Sequence, residues 1–247
     1  MDGDVTNGLL TVADRSGSIT ISSLEGTGLF KMNGQKVSLG RNNLSTAFAG
    51  LIKDVGAGSL GSITKIGTGT FTLTNANSYG GGATVTAGTL LVRNTTGSAT
   101  GSGTVQVTAG TLGGGGTAAG AVTIGAGAFL APAAVVGKQT TFTTQGSLTL
   151  NVDGIYTYTA KAKGRKVLSD KVVANGVTII RATFLFQPRI QGSLQAGTVF
   201  SVITNTSAAP ISETFVNLPD GAVLTAGGNS FQANYEGGDG NDLTLTV

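Results

Sequence analysis

The chain has 247 residues, among them 41 Gly and 4 Pro, with no His, Cys or Trp and a formal net charge of +3. High Gly without a G-X-Y period or abundant Pro excludes a collagen-like rod. The absent His and Cys remove imidazole triads, ordinary zinc sites, disulfides, thiolate catalysis and iron–sulfur ligation.

Hydrophobic residues make up 40% and charged ones 11%, too apolar a balance for disorder, so a sizeable core must form. The length suits one large all-β domain. No run of 18 or more apolar residues exists, so no helical membrane span is expected. Met1-Asp2-Gly3-Asp4 precedes no apolar h-region, and no signal peptide is expected in this fragment.

Taken in order, the alternating runs are Ser18-Ile19-Thr20-Ile21, Thr70-Phe71-Thr72-Leu73, Ala83-Thr84-Val85-Thr86, Thr104-Val105-Gln106-Val107, Ser147 to Val152, and Leu243 to Val247. Each sets aliphatic side chains on one face and hydroxyls or amides on the other, the period-two pattern of half-buried strands. A helical pattern over Asn42 to Ile52 contains Gly50 and reads equally well as strand plus turn. Gly punctuates the runs at short intervals, as corners needing positive φ would require.

The runs recur. Thr84-Val85-Thr86-Ala87-Gly88-Thr89-Leu90 returns as Gln106-Val107-Thr108-Ala109-Gly110-Thr111-Leu112 after 22 residues, and in degraded form as Thr123 to Phe129 after a further 17. A unit of roughly 20 residues suits one turn of a β-solenoid, giving on the order of twelve coils and a rod of about 55 to 60 Å. The competing architecture is a β-sandwich, suggested by Asp153-Gly154 between two alternating runs, a plausible hairpin turn.

The stretch GSITKIGTGTFTLTNANSYGGGATVTAGTLLV, Gly61 to Val92, resembles the autotransporter-associated β-strand repeat, also called the passenger-associated transport repeat. Thr64, Lys65, Gly67, Gly69, Thr70, Leu73, Asn75, Ala76, Asn77, Tyr79, Gly81, Gly82, Thr84, Val85, Ala87, Gly88, Thr89 and Leu90 carry the likeness. Ser78 and Ala83 stand where Thr is usual, and the flanks on both sides also look like proteins bearing this repeat. The resemblance implies an all-β, right-handed parallel β-helix from the secreted or surface-displayed part of a bacterial protein, with room for a β-rich C-terminal cap. It places coils over 1–137, including the repeat at 61–92, and C-terminal coils and cap over 138–247. A translocation barrel or anchor is expected in the parent protein, since the chain lacks a series of amphipathic barrel strands.

Between residues 138 and 189 there are eight basic residues against Asp153 and Asp170, and from 190 onward five acids and no base. The sharpest cluster is the loop 161–166, where Lys161, Lys163, Arg165 and Lys166 are candidate contacts for an anionic partner, with a merely solvated loop as the alternative. Tyr156 and Tyr158 lie nearby, but no stacking aromatics interleave with the bases, so no specific nucleic-acid partner is expected. Gly237 to Leu245 is a single-copy variant of the calcium nonapeptide, making Asp239 and Asp242 the only metal candidates, against a plain Gly-Asp turn.

Acids are absent between Asp54 and Asp153, so no paired-carboxylate centre is expected there. No catalytic residue and no cofactor are assigned. Gly113 to Gly116 reads as a corner rather than a phosphate cradle, and Asn75 and Asn77 read as turn residues. Asn43, Asn94 and Asn205 head glycosylation sequons. The expected role is a structural one outside a bacterial cell: a stalk or scaffold for adhesion or for self-association through open coil ends, with self or matrix glycan as partners. The alternative is a polysaccharide-binding or polysaccharide-cleaving domain.

Overall fold

A computed structural model describes residues 2–5, 9–11, 18–56, 58–134, 138–163 and 166–247. The described residues are all-β, without helices, and most strands pair in parallel. In the first sheet nine strands are neighbours in chain order: Asp2–Val5, Ser23–Gly26, Thr46–Phe48, Thr70–Leu73, Thr89–Val92, Thr111–Gly113, Phe129–Ala131, Ile155–Lys163 and Thr183–Gln191. A second, eight-stranded sheet takes one strand from each of the first eight circuits, from Ser18–Ile21 to Val177–Ile179. The remaining wall is a three-stranded sheet in the early circuits and a seven-stranded one from Thr117–Ala118 onward.

The sequence repeat is the pairing register. Thr84 pairs with Gln106 and Gln106 with Thr123, the offsets of 22 and 17 read from the sequence. Alternation then sorts side chains into rows running across the strands. One inward row of the second sheet is Ile21, Leu39, Lys65, Val85, Val107, Ile124, Leu150 and Ile179, aliphatic except for Lys65. The matching outward row is Thr20, Ser38, Thr64, Thr84, Gln106, Thr123, Thr149 and Thr178. Each inward aliphatic contributes about 1.5–3 kcal/mol of burial, and the strands between circuits satisfy one another's backbone groups.

The pairing decides two readings that the sequence left open and revises the number of coils. Asp153, at φ 60°, is a corner between Leu148–Leu150 in the second sheet and Ile155–Lys163 in the first, and both strands pair in parallel, so no hairpin and no sandwich forms there. The stretch Asn42 to Ile52 holds strands Thr46–Phe48 and Leu51–Lys53 around Gly50, where a Cβ would run into the Gly28 carbonyl. Nine strands stack in chain order across the first sheet among the described residues, against on the order of twelve coils expected, giving about 40 Å at ~4.8 Å per step. The shortfall arises because circuits lengthen to 29 residues at Leu148–Val177, and because the chain changes direction near its end.

There Val199–Asn205 pairs antiparallel with Asp242–Thr246, which pairs with Asn229–Gly237, which pairs with Val223–Ala226. The run Leu243 to Val247 is therefore part of an antiparallel cap and not a last coil. Beneath it Tyr156, Tyr158, Phe184 and Phe215 form one buried aromatic cluster with ring centroids 5.5–6.3 Å apart.

Candidate functional site

The residues most tightly held by polar contacts lie at the corners joining consecutive circuits. Alternation in Ser62–Lys65 turns Lys65 inward, 1% exposed, into a row that is otherwise aliphatic. Its ammonium is held because the next corner aims carbonyls at it: Nζ donates to Ile66 O at 2.6 Å, Gly67 O at 2.8 Å and Ala87 O at 3.3 Å. The last of these belongs to the following circuit. Burial lowers the Lys65 pKa to about 8. The corners it braces turn at Gly67 and Gly88, with φ of 68° and 64°, which a side chain would resist.

On another corner, Asn77 receives the Ile52 N–H on Oδ1 at 2.8 Å and donates from Nδ2 to Ala99 O at 2.6 Å. It thereby ties the preceding circuit to the following one across its own. Its expected role as a turn residue is too modest; Asn75, exposed, accepts the next residue's N–H at 2.8 Å as a turn residue does, and also donates to Ala49 O at 3.3 Å. Asp54 works similarly: Oδ1 accepts the Gly34 N–H at 3.0 Å, and Oδ2 accepts those of Gly61 at 3.0 Å and Gly80 at 2.9 Å. Tyr79 fills the interior beside this corner, fully buried, and burial together with the Asp54 charge pushes its pKa up.

Lys65, Asn75, Asn77 and Tyr79 lie within one stretch of some thirty residues, and a family model described as Passenger-associated-transport-repeat matches residues 63–92. The chain carries a passenger-associated-transport-repeat. The repeat's polar residues thus act as ties between circuits: Lys65 to the circuit after it, Asn77 to both neighbours. No curated protein matches the chain.

Outside the repeat, the basic cluster is not a free loop. The strand Ile155–Lys163 runs through Lys161 and pairs antiparallel with Lys166–Ser169, with Lys163 opposite Lys166 in the register. Arg165 lies outside the described residues. Lys161 is half-buried and stands beside Arg189 of the parallel neighbour, a cation the sequence reading missed because it lies 28 residues away. Tyr156 and Tyr158 face inward; the Tyr156 hydroxyl donates to Val202 O at 3.0 Å, so neither ring is a platform for a ligand.

Asp242 is buried and its Oδ1 accepts the Asn205 N–H at 2.8 Å, while Asp239 is exposed. Burial raises the Asp242 pKa, Asn205 and Lys171 oppose this, and the Asp239 charge adds to it. Asp242 is a tie to the strand Val199–Asn205, and no third acid, His or Cys joins the pair among the described residues. Asn94 and Asn205, candidates for glycosylation, are 4% and 1% exposed. Asn94 donates to Thr96 O and Gly97 O and accepts the Thr117 N–H, so both sequons are closed in the folded chain. Asn43 is exposed, with Oδ1 accepting the Thr68 N–H. In the Gly113 to Gly116 corner, Gly114 N–H donates to Pro132 O and Gly116 N–H to Val92 O, which commits them to neighbouring circuits.

Proposed function

We propose that the chain is a right-handed parallel β-helix serving as a stalk or scaffold in the passenger part of a bacterial surface-displayed or secreted protein. The observation that carries this reading is the coincidence of the repeat at residues 63–92 with the corners that tie successive circuits together. A passenger of this kind works by holding a rigid shape, and stacked circuits do so without any special centre. Two carboxylates support a non-enzymatic role: Asp54 and Asp170 each commit both oxygens to backbone N–H groups, and Asp242 commits Oδ1.

Self-association is part of the proposal. At the C-terminal end the antiparallel cap occupies one edge of Val199–Asn205, so contact there uses strand edges it leaves uncovered, such as that of Thr183–Gln191, which among the described residues pairs only with Ile155–Lys163. Display of the chain between a secretion signal and a translocating barrel tests the reading. Added protease should find the chain on intact cells and leave a resistant core of nearly its full length. Retention inside the cell, or complete degradation at the surface, contradicts it.

A further inference from the structure

The span between Asp54 and Asp153 holds no acid and only three cations, Lys65, Arg93 and Lys138. Lys65 is sealed inside. The other two are exposed, lie 45 residues apart in sequence, and line the same surface cleft of about 260 Å³. Its floor is Leu91, and Thr95 and Thr140 add hydroxyls. Neither cation has a carboxylate partner among the described residues. The Asp170 carboxylate lies behind Thr140, fully buried, with Oδ1 taken by the Thr140 N–H at 3.0 Å and Oδ2 by the Thr159 hydroxyl at 2.7 Å.

A second cleft of about 300 Å³ adjoins the first, sharing Ala133 with it. Phe129 and Leu185 give it an apolar surface, Thr157 and Gln187 supply polar groups, and Thr159 lines it with its hydroxyl already bonded to Asp170 and Gln139. All five come from outward positions of the first sheet. The next outward pair on the same two strands is Lys161 beside Arg189. From Arg93 to Arg189 the chain climbs four circuits, about 20 Å at ~4.8 Å each. Cations therefore stand at both ends of an apolar, hydroxyl-lined middle.

We propose that this outer face of the first sheet is a binding groove for a short acidic oligosaccharide, its carboxylate or sulfate groups at the two cationic ends and a sugar ring face on Phe129 and Leu185. The chemistry matches part by part. Sugar rings present an apolar face and a rim of hydroxyls, and surface cations whose neighbouring carboxylate, Asp170, is buried draw anions with a strong salt dependence. Nucleic acid fits less well, because stacking of successive bases needs repeated open aromatic faces and the groove offers one. The site is independent of the stalk reading and stands or falls separately.

Titration calorimetry and amide chemical-shift mapping test it, with tetragalacturonate as the carboxylate probe, a heparin-derived tetrasaccharide as the sulfate probe, and cellotetraose and a single-stranded oligonucleotide as controls. At least one acidic tetrasaccharide should bind saturably and shift amides around residues 91–95, 129–134 and 185–189; which one binds tells uronate from sulfate. The double variant Arg93→Ala/Lys138→Ala, at exposed positions where the fold is preserved by circular dichroism, should weaken that binding about tenfold or more, as should Leu185→Glu. Equal binding of cellotetraose, tighter binding of the oligonucleotide, shifts mapping elsewhere, indifference to both variants, or no saturable binding at all overturns the proposal.

Discussion

Asn77→Ala removes one small amide that spans three circuits. It deletes the 2.8 Å bond from Ile52 N–H and the 2.6 Å bond to Ala99 O. Ile52 and Ala99 are both fully buried, so water cannot reach the two backbone groups left behind. Each lost bond is worth about 1 kcal/mol, and each stranded buried group adds ~1–3 kcal/mol, for a loss of about 3–4 kcal/mol after partial relaxation. Asn77→Asp should cost at least as much, because it sets a carboxylate oxygen against the Ala99 carbonyl where a donor stood. Asn75→Ala, at an exposed position, should cost under ~1 kcal/mol. Guanidinium unfolding followed by far-UV circular dichroism gives the three values, and hydrogen exchange at the Ile52 amide reports the local opening. If Asn77→Ala lies within ~0.5 kcal/mol of the parent, or no further from it than Asn75→Ala, the tie between circuits is not holding them.

Two further predictions concern the Lys65 corner. With the Lys65 pKa lowered to about 8 by burial, the unfolded chain holds more protons than the folded one above that pH, so stability should rise with pH, by about 1–2 kcal/mol between pH ~8 and ~9.5. Lys65→Met should flatten that slope; denaturant midpoints across the window check it, below the range where the buried tyrosines begin to ionise in the unfolded chain. Gly88→Ala places a Cβ 2.5 Å from Gly67 O and 2.8 Å from Lys65 Nζ at a φ of 64°. It should destabilise by several kcal/mol, whereas Gly127→Ala, at φ 68° with open space around it, should cost only about 1 kcal/mol of backbone strain. Thermal unfolding of the two variants separates crowding from strain, and equal losses would contradict the packing described.

The repeat was legible because strands of one residue type alternation stack on copies of themselves: Thr84, Gln106 and Thr123 sit side by side at the spacings their sequence offsets state. Period two, however, is blind to whether the neighbour runs parallel or antiparallel. Leu243 to Val247 looks like any coil strand, and only its pairing with Val199–Asn205 makes it a cap. Lys65 was legible as a repeat residue but not as an interior one, since an inward lysine is intelligible only once carbonyls from two circuits surround it. Asn77 was read as a local turn because its two partners are 25 and 22 residues away. Arg93 and Lys138 gave one faint sign, their isolation in an acid-free span; nothing in a linear chain shows that stacking brings them to one cleft.

The absence of Cys makes the stacking itself measurable with paired spin labels. Ser38, Thr123, Thr149 and Thr178 lie in one outward row of the second sheet, with Ser38 four, five and six strands from the others. Labels at Ser38 and each of the three in turn should give distances near 19, 24 and 29 Å, a constant increment of ~4.8 Å per circuit. Distances that fail to grow along the series, or that jump unevenly between neighbouring circuits, would contradict a continuous parallel stack.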